Sequence, residues 1–246
     1  MFPVAILAGG LATRLRPVTE KIPKALLEIG GKPFILHQLD LLKRQDIEQV
    51  VLCVGYLGEL IYRVVGTGKS LGLQIEYSFD GTVLLGTGGS LKKALPLLGD
   101  SFFVLYGDSY LDCNYKKIQS AFEISEKSAL MTVLRNENRW DKSNVLYQDG
   151  RIVKYDKKQI IPEMKYIDYG LSILRTDVFT GIDKGAVFDL AELYKNLVDK
   201  GQMAGFEVSE RFYEIGSHQG IEEISRLLDP KTNTNKLSKR EEQLDE

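Results

Sequence analysis

LAGGLATRLRP, at positions 7–17, begins where the apolar run VAIL (4–7) ends. The apolar run predicts a buried β-strand. After the strand, Gly9 and Gly10 would let backbone N–H groups approach a ligand closely, which a side chain at either position would prevent. Because consecutive amides in a concave loop attract phosphate oxygens, the strand and its loop predict a phosphate-binding turn.

Two basic residues add positive charge beside this loop. Arg14 lies within it, and Lys24 follows in IPKALL (22–27). Such side chains donate charge-assisted hydrogen bonds to phosphate, so the combination indicates a nucleoside-triphosphate pocket. The alternative is an ordinary strand and turn with solvated Arg and Lys side chains. Two glycines alone would favour that alternative, but the full string favours the pocket.

Composition and charge favour a globular protein with a sizeable core. The chain has 246 residues, 43% of them hydrophobic, which suits one large α/β domain or two small ones. The formal net charge of −2 gives no general attraction for nucleic acid or an anionic membrane. Cys53 and Cys113 show no disulfide or metal-ligand pattern. We expect neither a secretory leader nor a membrane span, and hence a soluble cytoplasmic protein.

Strands and helices alternate through the first half of the sequence. Periodicity predicts strands at 3–8, 49–54, 74–78 and 102–106 and helices at 33–45, 58–64 and 89–97. This alternation predicts right-handed βαβ units and a mostly parallel sheet with helices on both faces.

The second half predicts antiparallel additions to that sheet. Its predicted strands are 128–134, 144–148, 151–155, 168–174, 203–207 and 211–215, and its helices are 189–199 and 218–228. A turn at 148–150 indicates a hairpin. We therefore expect an α/β fold, a Rossmann-like three-layer sandwich with a mostly parallel mixed sheet, over residues 1–229. The polar segment 230–246 predicts a disordered tail, with a partner-binding or oligomer-capping tail as the alternative.

Several motifs together resemble those of the sugar-1-phosphate nucleotidyltransferases, or NDP-sugar pyrophosphorylases. That family opens with LAGG-x-G-T-R-L-x-P followed by P-K-x-L/M. The resemblance continues in the family's order through LGTGGSLKKAL (85–95), YGDS (106–109), RIVKYDKK (151–158), YIDYGLSIL (166–174) and RFYEIGS (211–217). One departure is Ala12, which replaces the second glycine of the opening motif. The resemblance implies the nucleotide-diphospho-sugar transferase fold, and an NTP and a sugar 1-phosphate as substrates of a reaction that releases pyrophosphate.

The resemblance also implies a divalent cation, Mg²⁺ or Mn²⁺, which could contact the α-phosphate and the sugar phosphate together. Asp108 matches the family's Gly-Asp motif and follows a strand at the end where open α/β sheets place ligands. Glu214 occupies the place of the second metal-binding carboxylate, although the family usually has the shorter aspartate there. Without the resemblance, a turn at Asp108 and an exposed strand-end carboxylate at Glu214 would be the expected interpretations.

The same resemblance assigns the substrate contacts. Arg14 would bind the β- and γ-phosphates and favour departure of pyrophosphate, and Lys24 would lie near the α-phosphate and the sugar phosphate. Together with Asp108 these are the predicted catalytic residues. The predicted substrate-binding residues are Leu7, Ala8, Gly9, Gly10, Thr13, Thr87, Gly88, Lys157, Asp168 and Gly170.

Each of the later residues in this set has an expected partner. Thr87 and Gly88 would contact the base and ribose, unless that glycine-rich segment serves only to pack a helix. Lys157, or the lysine after it, would contact the sugar phosphate. Asp168 would accept hydrogen bonds from sugar hydroxyls, and Gly170 would let the ring lie close to the backbone.

Two other classes of protein fit these patterns less well. A nucleotide-sugar-binding regulatory subunit on the same fold would be expected to lose the carboxylates and basic residues of the site, which are present. A Rossmann dehydrogenase needs G-x-G-x-x-G and an acidic residue about 20 positions on, and the first loop does not fit this pattern. The chain most resembles short, single-domain members such as the heptose- and mannose-1-phosphate guanylyltransferases. The sequence does not identify the base or the sugar. It also leaves the oligomeric state open, with a homo-oligomer as one alternative.

Overall fold

The computed structural model describes residues 1–10, 15 and 17–229. Its strands are β1 (Val4–Leu7), β2 (Glu28–Ile29), β3 (Lys32–Pro33), β4 (Gln49–Val54), β5 (Gln74–Phe79), β6 (Ser101–Tyr106), β7 (Ser109–Tyr110), β8 (Ala129–Arg135), β9 (Val145–Gln148), β10 (Arg151–Tyr155), β11 (Tyr166–Arg175), β12 (Met203–Val208) and β13 (Tyr213–Glu214). Its α-helices are α1 (Phe34–Arg44), α2 (Gly58–Val65), α3 (Gly86–Ala94), α4 (Tyr115–Ser125), α5 (Leu190–Asp199) and α6 (His218–Leu228). Across these ranges, the structure contains no helix with the length and apolar character needed to span a membrane.

Within the described residues, nine strands form one mixed sheet in the order β5-β4-β1-β6-β11-β8-β12-β10-β9. Strands β5, β4, β1 and β6 run parallel, and β8 is parallel to β12. Strand β11 is antiparallel to both β6 and β8, and β10 is antiparallel to β12 and β9. The prediction of a parallel first half with antiparallel additions is confirmed.

Alternating side chains of the sheet enter two apolar cores, one on each face. In β1, Val4 and Ile6 belong to the first core and Ala5 to the second. The first core includes buried side chains of α1, α2 and α4, and the second those of α3 and α5. The predicted three-layer sandwich is therefore confirmed.

Helix α4 is not among the elements predicted from the sequence. Its N-cap is Asn114, whose side chain accepts a hydrogen bond from the Lys117 N–H and so satisfies a donor at the start of the helix. The buried residues Tyr115, Ile118 and Phe122 recur at helical spacing, and α4 packs near β8 and β12. That spacing is the sequence signal by which α4 could have been predicted.

Two smaller features follow from single residues. Helix α3 ends earlier than predicted and gives way to a 3-10 turn at Leu95–Leu97, because Pro96 cannot continue the α-helical hydrogen bonding. The predicted hairpin joins β9 to β10, with Asp149 at φ 49° and Gly150 at φ 74°. Two successive positive φ angles are typical of the type I′ turn that suits a tight hairpin.

The carboxyl ends of three parallel strands meet at one edge of the sheet. Leu7 at the end of β1 pairs with Cys53 of β4 on one side and Tyr106 of β6 on the other. Beside them, β13 pairs with β7 so that Glu214 lies opposite Ser109. Open α/β sheets bind ligands at this end of their strands.

Candidate active site

A cavity of about 390 Å³ opens at the carboxyl ends of β1, β4 and β6. Several predicted site residues line it: Leu7, Ala8, Gly9, Gly10, Lys24, Thr87 and Asp108. The predicted site residues Thr13 and Arg14, and the substituted glycine position Ala12, lie outside the described residues. The structure thus brings the glycine loop, the lysine and the Gly-Asp carboxylate to one cavity.

The two glycines of the first loop have different surroundings. A Cβ atom at Gly9 would lie 3.0 Å from the backbone nitrogen of Gly55, in the loop after β4. A Cβ atom at Gly10 would meet no described atom within 4 Å. Gly9 is therefore needed where two loops pack backbone against backbone, whereas Gly10 keeps open space at the cavity wall.

An ion pair lies at the base of the cavity. The Lys24 Nζ donates to Asp108 Oδ2 at 2.7 Å, and the two side chains are 15% and 35% exposed. Because Lys24 is largely buried, its charge would be costly without this carboxylate. Asp108 is more exposed and lines the cavity, so it can also meet a ligand.

The backbone around Asp108 is held by neighbouring elements. The Gly107 N–H donates to the Leu7 carbonyl of β1 at 2.9 Å, and the Ile215 N–H donates to the Asp108 carbonyl at 2.9 Å. A Cβ atom at Gly107 would lie 2.9 Å from the same Leu7 oxygen. The Gly-Asp motif thus fits a crowded junction that only glycine allows at its first position.

Glu214 lies beside Asp108 along the paired strands, and its carboxylate lies at the start of α6. The carboxylate accepts hydrogen bonds from the Gly216 N–H and, at 2.7 Å, from the Ser217 hydroxyl. It lines a neighbouring cleft of about 180 Å³ and is not among the described residues lining the main cavity. A Cβ atom at Gly216 would lie 2.9 Å from Lys24 Nζ and would collide with Glu214 Oε2, so both charged groups flank this glycine.

The donor set determines which cation would fit. Within the described ranges, no group of three or more His, Cys, Asp or Glu side chains could hold a metal ion. Mg²⁺ needs only one or two carboxylates, because it retains water and uses substrate phosphates as ligands. Asp108, a hard oxygen donor at the cavity, fits a cation of that kind. Glu214, whose carboxylate also accepts hydrogen bonds at the start of α6, would be the second carboxylate.

A second charged cluster lies beside the cavity wall formed by Tyr106. Lys157 Nζ lies 3.9 Å from Asp168 Oδ2 and 5.7 Å from the centroid of the Tyr106 ring. The Asp168 side chain is 5% exposed, whereas that of Lys157 is 43% exposed. Burial raises the pKa of Tyr106 well above its usual value, so its hydroxyl stays neutral. The structure therefore brings Lys157 and Asp168 together next to the cavity.

A break in strand pairing positions Asp168. The register between β11 and β8 shifts between Asp168 and Ser172, and within this break Gly170 has a φ of 95°. The Gly170 N–H donates to Asp168 Oδ1 at 3.0 Å. Bulges of this kind commonly redirect side chains next to active sites. Gly170 is thus required for the backbone conformation that turns Asp168 inward.

The loop that carries Lys157 is fixed by its neighbour Asp156. That carboxylate pairs with Lys195 of α5 at 2.6 Å and accepts the N–H groups of Lys158 and Gln159, each at 2.8 Å. The hydrogen bond from Lys195 and those from the backbone hold the pKa of Asp156 well below its usual range. The sequence patterns did not single out Asp156 as a residue that supports the site.

Gly88 serves packing, which was the alternative for this segment. Its N–H donates to the Phe188 carbonyl at 3.0 Å, and a Cβ atom there would collide with the Phe188 ring. Gly88 is not among the described residues that line the cavity, whereas Thr87 is. The Thr87 hydroxyl also accepts the Leu190 N–H at 2.8 Å, which fixes the start of α5.

Asp80 is a further residue that lines the cavity. It is 8% exposed, and it accepts hydrogen bonds from the Ser90 hydroxyl at 2.6 Å and the Leu85 N–H at 3.2 Å. It follows β5 directly, which is the same strand-end signal that drew attention to Asp108. Burial, with a contribution from Asp80, raises the pKa of Cys53 to about 12, so this cavity cysteine is a protonated thiol and a poor nucleophile.

Comparison with protein families gives a match over nearly the whole described chain. The model of the family described as nucleotidyl transferase matches residues 4–229. The chain is 28% identical over 213 residues to the D-glycero-alpha-D-manno-heptose 1-phosphate guanylyltransferase of Campylobacter jejuni, covering 86% of this chain and 93% of that protein. It is 29% identical over 229 residues to the N-acetylmuramate alpha-1-phosphate uridylyltransferase of Neisseria meningitidis, covering 90% and 96%.

A longer relative and two solved structures agree with these matches. The UTP--glucose-1-phosphate uridylyltransferase of Synechocystis is 32% identical over 216 residues, but the match spans only 55% of its length. HddC from Yersinia pseudotuberculosis, solved with GMP-PN, has a TM-score of 0.79 at 24% identity and covers 93% of this chain and 100% of its own. A structure named as a putative glucose-1-phosphate thymidylyltransferase from Bacillus anthracis has a TM-score of 0.81 at 21% identity and covers 94% and 96%. The resemblance seen in the motifs is confirmed.

Proposed function

This chain belongs to the nucleotidyl transferase family, and on that premise we propose that it joins an NTP to a sugar 1-phosphate. The products are an NDP-sugar and pyrophosphate. The observation that carries this proposal is the Lys24–Asp108 pair, set in a cavity whose wall includes the glycine loop at 7–10. The cavity supplies amides and a cation for phosphates, and a carboxylate for a divalent ion.

The reaction is a direct displacement at the α-phosphorus of the NTP. An oxygen of the sugar phosphate forms a bond to that phosphorus, and the bond to the bridging oxygen of the β-phosphate breaks. The electron pair leaves with pyrophosphate. Because both substrates are polyanions, the protein acts mainly by holding them together and neutralising charge.

Lys24 is proposed to balance this negative charge. Its ammonium is already fixed by Asp108 at 2.7 Å, so it needs little reorganisation when phosphates enter the cavity. Arg14 is proposed to bind the leaving β- and γ-phosphates with Thr13 beside it, as the family pattern implies. The N–H groups of Gly9 and Gly10 would add uncharged donors to the same phosphates, whereas that of Ala8 is already donated to the Cys53 carbonyl.

The cavity has two further sides that suit the rest of the substrates. Gly86 and Thr87 line it on the side of α3, where the base and ribose are proposed to lie. Lys157 and Asp168 lie beyond Tyr106, where the sugar phosphate and the sugar hydroxyls are proposed to bind. The exposed Lys157 can move toward a phosphate while the buried Asp168 stays fixed.

Asp108 would hold the divalent cation, Mg²⁺ or Mn²⁺, with Glu214 proposed as the second protein ligand. Bound there, the cation would neutralise phosphate oxygens and polarise the α-phosphate. The names of the relatives support a hexose, a heptose or an amino-sugar derivative as the sugar, with either uridine or guanosine as the nucleoside. Because NTPs are a cytoplasmic pool, we place the reaction in the cytoplasm.

A substrate panel tests this proposal. Each common NTP is combined with a set of sugar 1-phosphates in Mg²⁺, and pyrophosphate release is measured. We expect one pair, or a few related pairs, to turn over, and Asp108→Asn to remove most of that turnover while leaving the circular dichroism spectrum unchanged. Absence of pyrophosphate release across the panel, or normal turnover in Asp108→Asn, would contradict the proposal.

A further inference from the structure

Gln38 of α1 reaches the backbone on both sides of the Gly-Asp motif. Its side-chain Nε2 donates to the Tyr106 carbonyl at 2.9 Å and to the Ser109 carbonyl at 2.6 Å. These two residues directly flank Gly107 and Asp108. Gln38 itself is 1% exposed, so the bonds form out of contact with solvent.

The remaining backbone bonds of this segment come from other elements. β1 accepts the Gly107 N–H through Leu7, and Ile215 donates to the Asp108 carbonyl. Gln38 adds side-chain donors to these contacts, because it bonds the carbonyls of Tyr106 and Ser109. A primary amide has two N–H donors, and Gln38 uses both of them here.

The other atom of the amide gives independent support. Gln38 Oε1 is buried and has no hydrogen-bond partner in the described structure. Leaving a buried acceptor unpaired is unfavourable, so the side chain is held in place by its two donor contacts and not by its oxygen. The arrangement uses glutamine as a double donor directed at one loop.

We propose that Gln38 is a positioning residue for Asp108, through the carbonyls of Tyr106 and Ser109. Without its N–H groups, two part-buried carbonyls lose their partners, and the segment between them relaxes to find others. Asp108 would then lose its fixed position relative to Lys24 and to the phosphates. This inference rests on the proposed role of Asp108 in the reaction.

Substitution of Gln38 tests the inference against a matched control. Gln38→Met keeps the length and burial of the side chain but has no donor. Gln38→His retains one ring N–H and should restore part of the effect. The control is Gln49→Met, because Gln49 Nε2 also donates to a backbone carbonyl, that of Leu97 at 3.1 Å, at the opposite end of the sheet.

Three quantities are measured for each variant: kcat and the KM of both substrates, the affinity for Mn²⁺, and hydrogen exchange in the peptide 103–112. Supporting groups around a metal ligand typically change activity or metal affinity by about 10–100-fold when removed, so we expect a loss of that size in kcat and Mn²⁺ affinity for Gln38→Met. Exchange should become faster in the peptide 103–112, and Gln38→His should be intermediate. Gln49→Met should match wild type in all three.

The outcomes separate this inference from the proposed function. Wild-type kcat and exchange in Gln38→Met, with Asp108→Asn inactive, would overturn the positioning role and leave the proposed function standing. Normal activity in Asp108→Asn would instead overturn the role of Asp108 in the reaction and the inference with it. If Gln38→Met does not fold, Gln38→His decides, since unchanged kcat and exchange there would also contradict the inference.

Discussion

At the scale of single residues, two largely buried charged side chains of the site each have an oppositely charged partner. Lys24 has Asp108 at 2.7 Å, and Asp156 has Lys195 at 2.6 Å. Removing one partner from such a pair leaves the other charge in a poorly solvated place, which is more harmful than never having buried either. The effect of a substitution at one of these positions should therefore be interpreted together with its effect on the partner residue.

Lys24→Met should abolish most activity but leave the protein folded, because the Asp108 carboxylate that loses its partner is 35% exposed. The ammonium is proposed to stabilise charge at the α-phosphate, and removing one preorganised donor of this kind lowers kcat by about 10²–10³-fold, or roughly 3–4 kcal/mol. Steady-state kinetics with pyrophosphate detection measures this. Lys21→Met is the control, because Lys21 is an exposed lysine nearby. A wild-type kcat in Lys24→Met would contradict the proposed role of Lys24 in the reaction.

Asp156 predicts a pH dependence of stability. Its pKa is lower in the folded protein than in the unfolded chain, so its stabilising effect is present above the unfolded pKa of about 3.9. As the pH falls below that value and through the folded pKa, the effect is lost. The difference in unfolding free energy between wild type and Asp156→Asn should therefore shrink from pH 6 to pH 3. Urea unfolding across this range measures it, and a difference that does not change with pH would contradict the assignment.

At the scale of elements, glycines in similar motifs have different structural roles. Gly10 lines the cavity with open space around it, and Gly88 packs α3 against Phe188. The distinction depends on which other segment comes close. It is a property of the packed elements and not of the local sequence.

A pair of alanine substitutions separates these two functions. Gly88→Ala should lower stability by about 1–3 kcal/mol through overpacking, because the Phe188 backbone is fixed by hydrogen bonds to Leu85 and Gly88. Its activity per folded molecule should be retained. Gly10→Ala should leave the melting temperature within about 1 °C and raise the KM for the NTP, because its methyl group enters the cavity. Thermal melts and NTP titrations of both variants measure this, and the reverse pattern would contradict it.

Local sequence patterns predicted most of the strands and helices but not which segments pack against each other. The bounds of the four strands predicted in the first half agree with those in the structure to within a residue or two. Their apolar runs are long and bounded by clear breaks. Helix α4 has the required spacing yet was not predicted, and the contact of Phe188 with Gly88 joins segments far apart in the chain. The position of the Glu214 carboxylate depends on its hydrogen bond from Ser217 at the start of α6. A sequence motif can identify Glu214 but cannot predict this contact.

At the scale of the whole molecule, α6 is the last element among the described residues. Helix α6 ends at Leu228, and Ile224 of that helix is buried in a small third core with Ile215 and Phe34. Residues 230–246 lie outside the described residues. Their composition predicts no contribution to the core, so the catalytic domain is proposed to end near residue 229.

Truncation after Asp229 should leave the melting temperature and kcat close to those of the full chain. Few apolar groups are removed, so little burial is lost. Thermal melts, kinetics and light scattering compare the two chains. The alternative, that the segment joins subunits, predicts a smaller particle or lower activity after truncation. The full-length chain serves as the control at matched concentration.

The pairing of β13 with β7 also has a consequence for the protein during its synthesis. The Asp108 loop is bonded to the Leu7 carbonyl, which is translated before it, and to the Ile215 N–H, which is translated long after it. A nascent chain that already contains the glycine loop and Asp108 still lacks the segment that fixes the Asp108 carbonyl and the start of α6. In the order of translation, the Asp108 carbonyl therefore stays without this hydrogen bond until the segment around Ile215 has been made.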